Sequence, residues 1–323
     1  MKVLVTGAAG FIGSHLCEML VQKNFDVVAF DRYNPNNEWG WLEGSKYKHD
    51  MEVILGDIRD YDSVYKSISG CESVFHLAAL IGIPYSYVSP LAYMRTNIDG
   101  TYNILEAAKQ NDLNQIIVTS TSETYGTAQT IPIKEDHPLV GQSPYSATKI
   151  AADQLALSYY KSFNIPIKVV RPFNTYGPRQ SARAIIPTVI TQILSGETEI
   201  SLGNTTPTRD FTYVLDTCLG FLEIFRSKEL FGEFTNIGTS TEVSIKDLCD
   251  LIKEIIGKEI NIVQDKKRVR PTNSEVERLV CDNTKLISST KWKQQYDLKE
   301  GLSLTVEWFK ENLDRYKSEK YNI

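Results

Sequence analysis

Tyr145 and Lys149 stand four residues apart, and Ser143-Pro144 precedes them. That pair opens a helix, with Ser capping the first turn and Pro fitting its backbone. On a helix, positions four apart lie one above the other. A free tyrosine has a pKa of about 10 and is a poor base at neutral pH. A fixed ammonium, helped by a second cation held close, favours phenolate. Lowering the pKa by roughly 3 units takes about 4 kcal/mol of differential stabilisation. Such a phenolate takes the proton of an alcohol while hydride leaves the same carbon. Just upstream, Gln115 to Thr119 is a short β-branched run that reads as a buried strand. It ends in Ser120, Thr121, Ser122 and Glu123. In an open parallel sheet, the carboxyl ends of the strands are where ligands bind.

The first 31 residues supply the partner for that chemistry. Lys2 to Thr6 is a β-type run, followed by Gly7-Ala-Ala-Gly10-Phe-Ile-Gly13 and an amphipathic helix to about Val21. Asp26 to Phe30 is a second strand, ending in Asp31. Strand, glycine-rich turn, helix and a strand closed by an acid form a dinucleotide-binding βαβ unit. The helix N-terminus offers N–H groups to a pyrophosphate. Asp31 is placed to accept the adenosine ribose hydroxyls and repels a 2′-phosphate, which favours NAD over NADP. The oxidised nicotinamide ring is then the second cation beside Tyr145.

Further strands follow at Met51–Leu55, Ser73–His76 and Ile167–Val170. The pattern predicts an α/β fold, a doubly wound parallel sheet, with the alternation of strand and helix loosening beyond it. Residues 1–172 form the NAD-binding part, with a returning segment at about 210–240. Asp57 and Ile58 are placed to cover the adenine edge, and the small Ala78 and Ala79 admit the cofactor. His76 reads as a packing residue. The stretch 34–50, with Trp39 and Trp41, is either a flexible loop or a flap over the adenosine side. Ile81 to Ser89 reads as a loop whose hydroxyls, Ser86 among them, touch substrate. Pro90 begins a long helix to about Gln110. Asn97 and Gly100 each cost stability inside it; Asn97 is assigned a hydrogen-bonding role and Gly100 close packing. Pro207 to Val214 reads as a loop. The cations Lys266, Lys267, Arg268 and Arg270 beside Pro271 suit a pyrophosphate.

Composition narrows the class. The chain has 323 residues, 42% hydrophobic and 23% charged, ordinary for a globular protein. A net charge of −5 argues against a nucleic-acid partner. Cys17, Cys71, Cys218, Cys249 and Cys281 are scattered singly, which predicts reduced thiols in a cytoplasmic protein. No metal spacing, leader or membrane-spanning run is read in the sequence.

The Gly7/Gly10/Gly13 turn, Asp57-Ile58, His76-Leu-Ala-Ala79, Thr121, Tyr145-x-x-x-Lys149, Arg171-Pro-Phe-Asn174, Tyr176-Gly-Pro178, Arg209-Asp-Phe211 and Arg270 together resemble the extended short-chain dehydrogenases/reductases of the nucleotide-sugar epimerase and dehydratase group. The resemblance covers almost the whole chain. It implies a recycled NAD, with Phe11, Ile12 and Leu77 joining the cofactor residues. It implies a smaller α/β C-terminal substrate domain over residues 173–209 and 241–323, a nucleotide-sugar substrate held by Ser86, Asn174, Arg179, Arg209 and Arg270, and a homodimer packed through helices at about 90–110 and 145–162. Glu123 resembles the base of the 4,6-dehydratases, with Thr121 on the reacting oxygen and Ser122 positioning. Ser122 departs from the Asp found in dehydratases acting on dTDP-glucose. Thr-Ser-Glu resembles GDP-mannose 4,6-dehydratases and also UDP-glucuronate decarboxylases. The stretches 141–149, 171–183 and 273–278 resemble the legionaminate-pathway dehydratases, which act on GDP- or UDP-linked N-acetylglucosamine. A decarboxylase, a 4-epimerase and a silent NAD-binding scaffold or sensor remain the alternatives.

Overall fold

The computed structural model describes residues 1–269 and 271–317. In chain order the elements are β1 (Lys2–Thr6), α1 (Phe11–Gln22), β2 (Asp26–Arg32), β3 (Met51–Gly56), α2 (Tyr61–Ile68), β4 (Ser73–His76), α3 (Ile83–Val88) and α4 (Pro90–Tyr93). A π-helical segment, Met94–Asp99, leads into α5 (Gly100–Gln110), then β5 (Gln115–Thr119), α6 (Pro144–Phe163), β6 (Ile167–Pro172), β7 (Asn174–Tyr176) and α7 (Ile185–Leu194). The remainder is β8 (Glu199–Leu202), β9 (Thr208–Arg209), β10 (Phe211–Tyr213), α8 (Val214–Arg226), β11 (Phe234–Ile237), β12 (Val243–Ser244), α9 (Ile245–Ile256), β13 (Asn261–Gln264), β14 (Arg278–Leu279), α10 (Thr284–Ser289) and α11 (Leu298–Glu311).

Seven strands form one parallel sheet in the order β11-β6-β5-β4-β1-β2-β3. Alternate residues feed opposite faces, as a doubly wound sheet requires. Val3, Val5, Val27 and Ala29 pack under α1 and α8 with Leu16, Leu20, Phe221 and Leu222. Leu4, Val28, Ile116 and Val118 pack under α2, α5 and α6 with Val64, Ile104, Leu105 and Ala156. The winding reverses between β1 and β4, which opens a crevice at their carboxyl ends. Three small sheets lie outside the main one: β10-β7, β12-β9-β14 and β13-β8.

Two segments differ from the sequence reading. Residues 83–88 are helical: Pro84 sits in the first turn, where its missing N–H costs nothing. The stretch 207–214 carries the short strands β9 and β10 and the start of α8. Two- and three-residue strands are too short to show a period of two. The segment after β2 is anchored, since Leu42 is wholly buried in the core beside α1.

Candidate active site

The crevice is floored by the glycine-rich turn. Gly7 has φ +70°, and a Cβ there would lie 2.9 Å from the Ala78 amide nitrogen. A Cβ at Gly13 would lie 2.0 Å from the Gly7 carbonyl oxygen. The Gly10 amide donates to that carbonyl at 3.1 Å. Helix α1 starts after Gly10 with no side-chain cap and no acid in its first turn, so the N–H groups around Phe11 and Ile12 stay available to an anion. Asp31 accepts from the Ala9 amide at 2.5 Å and from the Arg32 amide at 2.6 Å. Burial raises its pKa. Backbone packed too closely for any side chain, an uncapped helix end and an acid at the end of β2 fit a dinucleotide.

Next to the turn, β4 ends in a closed network. The Leu77 and Ala78 amides each donate to Thr6 Oγ1 at 3.2 Å. Thr6 Oγ1 lies 2.8 Å from His76 Nδ1, and His76 Nε2 lies 3.1 Å from Thr101 Oγ1. Thr101 donates to the Asn97 carbonyl at 2.7 Å. The pattern is consistent when Thr6 donates to Nδ1 and His76 donates from Nε2. Burial holds the imidazole neutral, its pKa pushed down to about 3, with Lys149 adding to the effect. His76 is therefore structural, as the sequence suggested.

Asn97 has a hydrogen-bonding role. Its Oδ1 accepts from the Leu80 amide at 2.9 Å, and its Nδ2 donates to the Leu80 carbonyl at 3.0 Å and to Thr148 Oγ1 at 3.1 Å. The side-chain amide thus joins the segment after β4 to α6. Gly100 does pack closely, because a Cβ there would lie 2.6 Å from Ile58 Cδ1. That contact buries the Ile58 side chain, whose carbonyl accepts from Asn103 at 2.9 Å. Asp57 is gripped by Arg59 at 2.5 Å, which lowers its pKa. Leu77, Ala78 and Ala79 are half-buried along the crevice.

The reacting groups converge at the end of β5. Helix α6 opens with a reciprocal cap, in which Ser143 Oγ accepts from the Ser146 amide and Ser146 Oγ accepts from the Ser143 amide. Such a cap contributes about 1 kcal/mol and fixes where the helix begins. Tyr145 is 7% exposed and packs edge-on to Tyr93 at 6.2 Å. Tyr93, absent from the sequence reading, is itself held by a hydrogen bond to the Gly82 carbonyl. Burial raises the Tyr145 pKa; Thr121 draws it back, while Glu123 and Tyr93 push it further up. The Lys149 ammonium donates to the Thr119 carbonyl at 2.5 Å. Burial lowers the Lys149 pKa and the Asp153 carboxylate raises it.

Asp153 was also missed, although it continues the four-residue spacing of Tyr145 and Lys149. It is fully buried, paired with Arg171 at 3.0 Å, and accepts from Ser120 Oγ at 2.6 Å. Thr121 caps the turn over Ser122–Tyr125 by accepting from the Glu123 amide at 3.3 Å. Ser122 is 2% exposed, and the half-buried Glu123 carboxylate has no hydrogen-bond or ion-pair partner among the described residues.

The expected substrate residues divide. Asn174, on β7, has a buried Nδ2 with no protein partner, and its amide donates to the Asp210 carbonyl at 3.1 Å. A buried amide left open in this way fits a ligand. Arg209, on β9, pairs with Glu275 at 3.5 Å and donates to the Thr208 carbonyl. Ser86 is wholly buried, and its hydroxyl donates to the Ile83 carbonyl at 2.6 Å within α3. Arg179 pairs with Glu18 of α1 at 2.9 Å through Nη2, while its Nη1 is buried with no protein partner. In the basic stretch Arg268 pairs with Asp265 at 3.3 Å, while Arg270 lies outside the described residues.

Known proteins resemble this chain over nearly its whole length. The profile of the family described as GDP-mannose 4,6 dehydratase matches residues 4–305. A dTDP-glucose 4,6-dehydratase of Streptomyces antibioticus is 31% identical over 97% of this chain and 93% of its own length. The solved UDP-glucuronic acid 4-epimerase of Bacillus cereus, in complex with UDP-glucuronic acid and NAD, superposes with a TM-score of 0.87 at 31% identity, covering 97% of this chain and all of that one (100%). DesIV, a dTDP-glucose 4,6-dehydratase of Streptomyces venezuelae solved with NAD, gives 0.89 at 26% identity, covering 99% and 100%. The matched profile spans nearly the whole sequence, and the chain belongs to the GDP-mannose 4,6-dehydratase family of extended short-chain dehydrogenases/reductases, the enzymes that dehydrate or epimerise nucleotide sugars with NAD.

Proposed function

We propose that the protein is an NAD-dependent 4,6-dehydratase that converts GDP- or UDP-linked N-acetylglucosamine into its 4-keto-6-deoxy form, for bacterial surface glycans of the legionaminic acid type. The observation that carries this is Glu123, a carboxylate with no protein partner beside Tyr145 at the end of β5. An epimerase needs only the oxidation and its reversal. A dehydratase needs a further base, and here one stands ready.

When bound, NAD supplies the acceptor for the C4 hydride, a positive ring beside the phenol, and the donor that returns hydride to C6. Tyr145 takes the C4 hydroxyl proton, with Thr121 hydrogen-bonded to the same oxygen. Lys149 holds the nicotinamide ribose. The ketone acidifies C5; Glu123 takes that proton as the C5–C6 double bond forms and the C6–O bond breaks. The same proton leaves with the C6 hydroxide as water, with Ser122 fixing the turn. When hydride returns to C6, C5 regains a proton equivalent to the one Tyr145 took from the C4 hydroxyl. Asn174 holds the sugar or proximal phosphate, and Arg209 and Arg270 neutralise the pyrophosphate. Residues 173–209 and 241 onward form the nucleotide-sugar lobe. A homodimer would use α5 and α6, where Tyr102 and Phe163 are exposed. No helix among the described residues is long and apolar enough to cross a membrane, in keeping with a cytoplasmic enzyme.

The test is mass spectrometry after incubation with GDP- and UDP-N-acetylglucosamine. Loss of one water supports the dehydratase, and the faster substrate names the nucleotide. UDP-glucuronate losing carbon dioxide instead would make the protein a decarboxylase. The 4-epimerase reading is favoured by the likeness to the Bacillus cereus enzyme; it predicts unchanged mass with an altered chromatographic position. Glu123→Gln separates the readings further. It should still reduce bound NAD on substrate but release water roughly a thousandfold more slowly, whereas full turnover would remove Glu123 as the base.

A further inference from the structure

The segment after β2 presses on the glycine-rich turn. In its short turn Gly40–Gly44, the Trp41 amide donates to the Ala9 carbonyl at 3.1 Å. Gly40, at φ +52°, lies so close that a Cβ would be 2.9 Å from the same oxygen and 3.1 Å from the Ala9 Cβ. Ala9 lies between Gly7 and Gly10, and its amide is already held by Asp31. The cofactor turn is therefore pressed from outside by this segment.

The Trp41 ring reaches the far end of the chain. It meets Trp308 of α11 edge-on at 5.4 Å and stacks on Tyr316 at 6.4 Å, with the Arg315 guanidinium 5.3 Å from its centre. Tyr316 also packs on Phe309 at 4.7 Å, and its hydroxyl donates to the Gln180 carbonyl at 2.9 Å. At its other end α11 is pressed on β7, the strand that begins with Asn174: a Cβ at Gly301 would lie 2.2 Å from Tyr176 Oη. The turn under the pyrophosphate and the helix behind the substrate strand are thus joined through one indole.

We infer that Trp41, Trp308 and Tyr316 form an aromatic buckle that keeps the cofactor turn closed and sets how long NAD stays bound. Aromatic pairs gain from geometry beyond their buried area, and a closed turn cannot release a dinucleotide until the segment over it lifts. Retention matters to the proposed reaction, because the same nicotinamide must take up hydride and give it back before leaving.

The experiment measures release directly. Protein loaded with NAD is diluted and spin-filtered over time, and retained dinucleotide is quantified by chromatography. Trp41→Ala should release NAD about tenfold faster. Trp308→Ala should do the same, because Trp308 meets Trp41, whose amide holds the Ala9 carbonyl. The double variant should release no faster than either single one, the mark of one shared contact. Leu304→Ala, an exposed change on α11, should leave release unchanged. Wild-type retention in Trp308→Ala, or effects that multiply in the double variant, would overturn the proposal. Trp41→Phe and Trp308→Phe serve if an alanine variant fails to fold; each should shorten retention by a smaller factor, and unchanged retention in both would equally overturn it.

Discussion

Strands β4 and β5 are neighbours and end at the same edge of the sheet, but they finish differently. At the end of β4, Thr6, His76, Thr101 and Asn97 pass hydrogen bonds from one to the next. The chain closes on Leu80 and Thr148, so its side chains are bound to protein. At the end of β5, Thr119 Oγ1 is buried without a partner and Glu123 has none among the described residues. Saturated groups position their neighbours; groups left open have capacity for a ligand. Desolvation acts on both ends. It makes His76 inert by keeping it neutral, and it leaves Tyr145 a phenol that needs a cation to become a base.

The largest contrast comes from one atom. Tyr145→Phe removes the proton acceptor from the open end and should slow cofactor reduction by roughly a thousandfold, measured by reduced-nicotinamide absorbance in a single turnover. Undiminished reduction would transfer the base role to another group and dissolve the contrast. Asn97→Ala strikes the closed end. Three hydrogen bonds go and half-buried Leu80 groups lose their partner, which should cost about 3 kcal/mol in denaturant unfolding. A loss below about 0.5 kcal/mol, typical of a surface change, would mean the network does not hold α6 in place.

The smallest effect is a pH dependence. His76 has a folded pKa of about 3, whereas the unfolded chain carries an ordinary histidine near 6.5. Below that pH the unfolded state takes up a proton that the folded state refuses. Stability contributed by the neutral ring is therefore whole at pH 7 and declines as pH falls. The decline is about 2 kcal/mol between pH 6.5 and 5. His15, held down to about 4 by burial and Arg179, adds in the same direction. His76→Gln should flatten the acid limb of a stability profile; an unchanged limb would show that His76 takes up its proton without unfolding.

What could be read in the sequence was local. The Gly7/Gly10/Gly13 turn, the Ser143 cap and the Tyr145–Lys149 spacing need only a few adjacent residues to declare themselves, and each holds its place in the fold. What stayed hidden depends on partners far along the chain. Nothing near Asn97 announces Thr148, and nothing near Arg179 announces Glu18. Ser86 and Asn174 are polar residues of comparable promise in the sequence, yet one donates within its own helix turn and the other is left open. Lys149 carried the right residue type and spacing, but its choice of the Thr119 carbonyl is a matter of strand and helix placement.

The π-helical segment Met94–Asp99 has a consequence for insertions and deletions. A π-bulge behaves as one residue added to an α-helix. Removing a residue there would restore ordinary winding and turn all of α5 by about 100°. Gly100 would swing off Ile58 and Thr101 off His76, while the amino acids that follow stayed the same. This stretch should therefore tolerate substitutions on its outer face but no change of length, and alignments that close a gap across it would misplace every contact of α5.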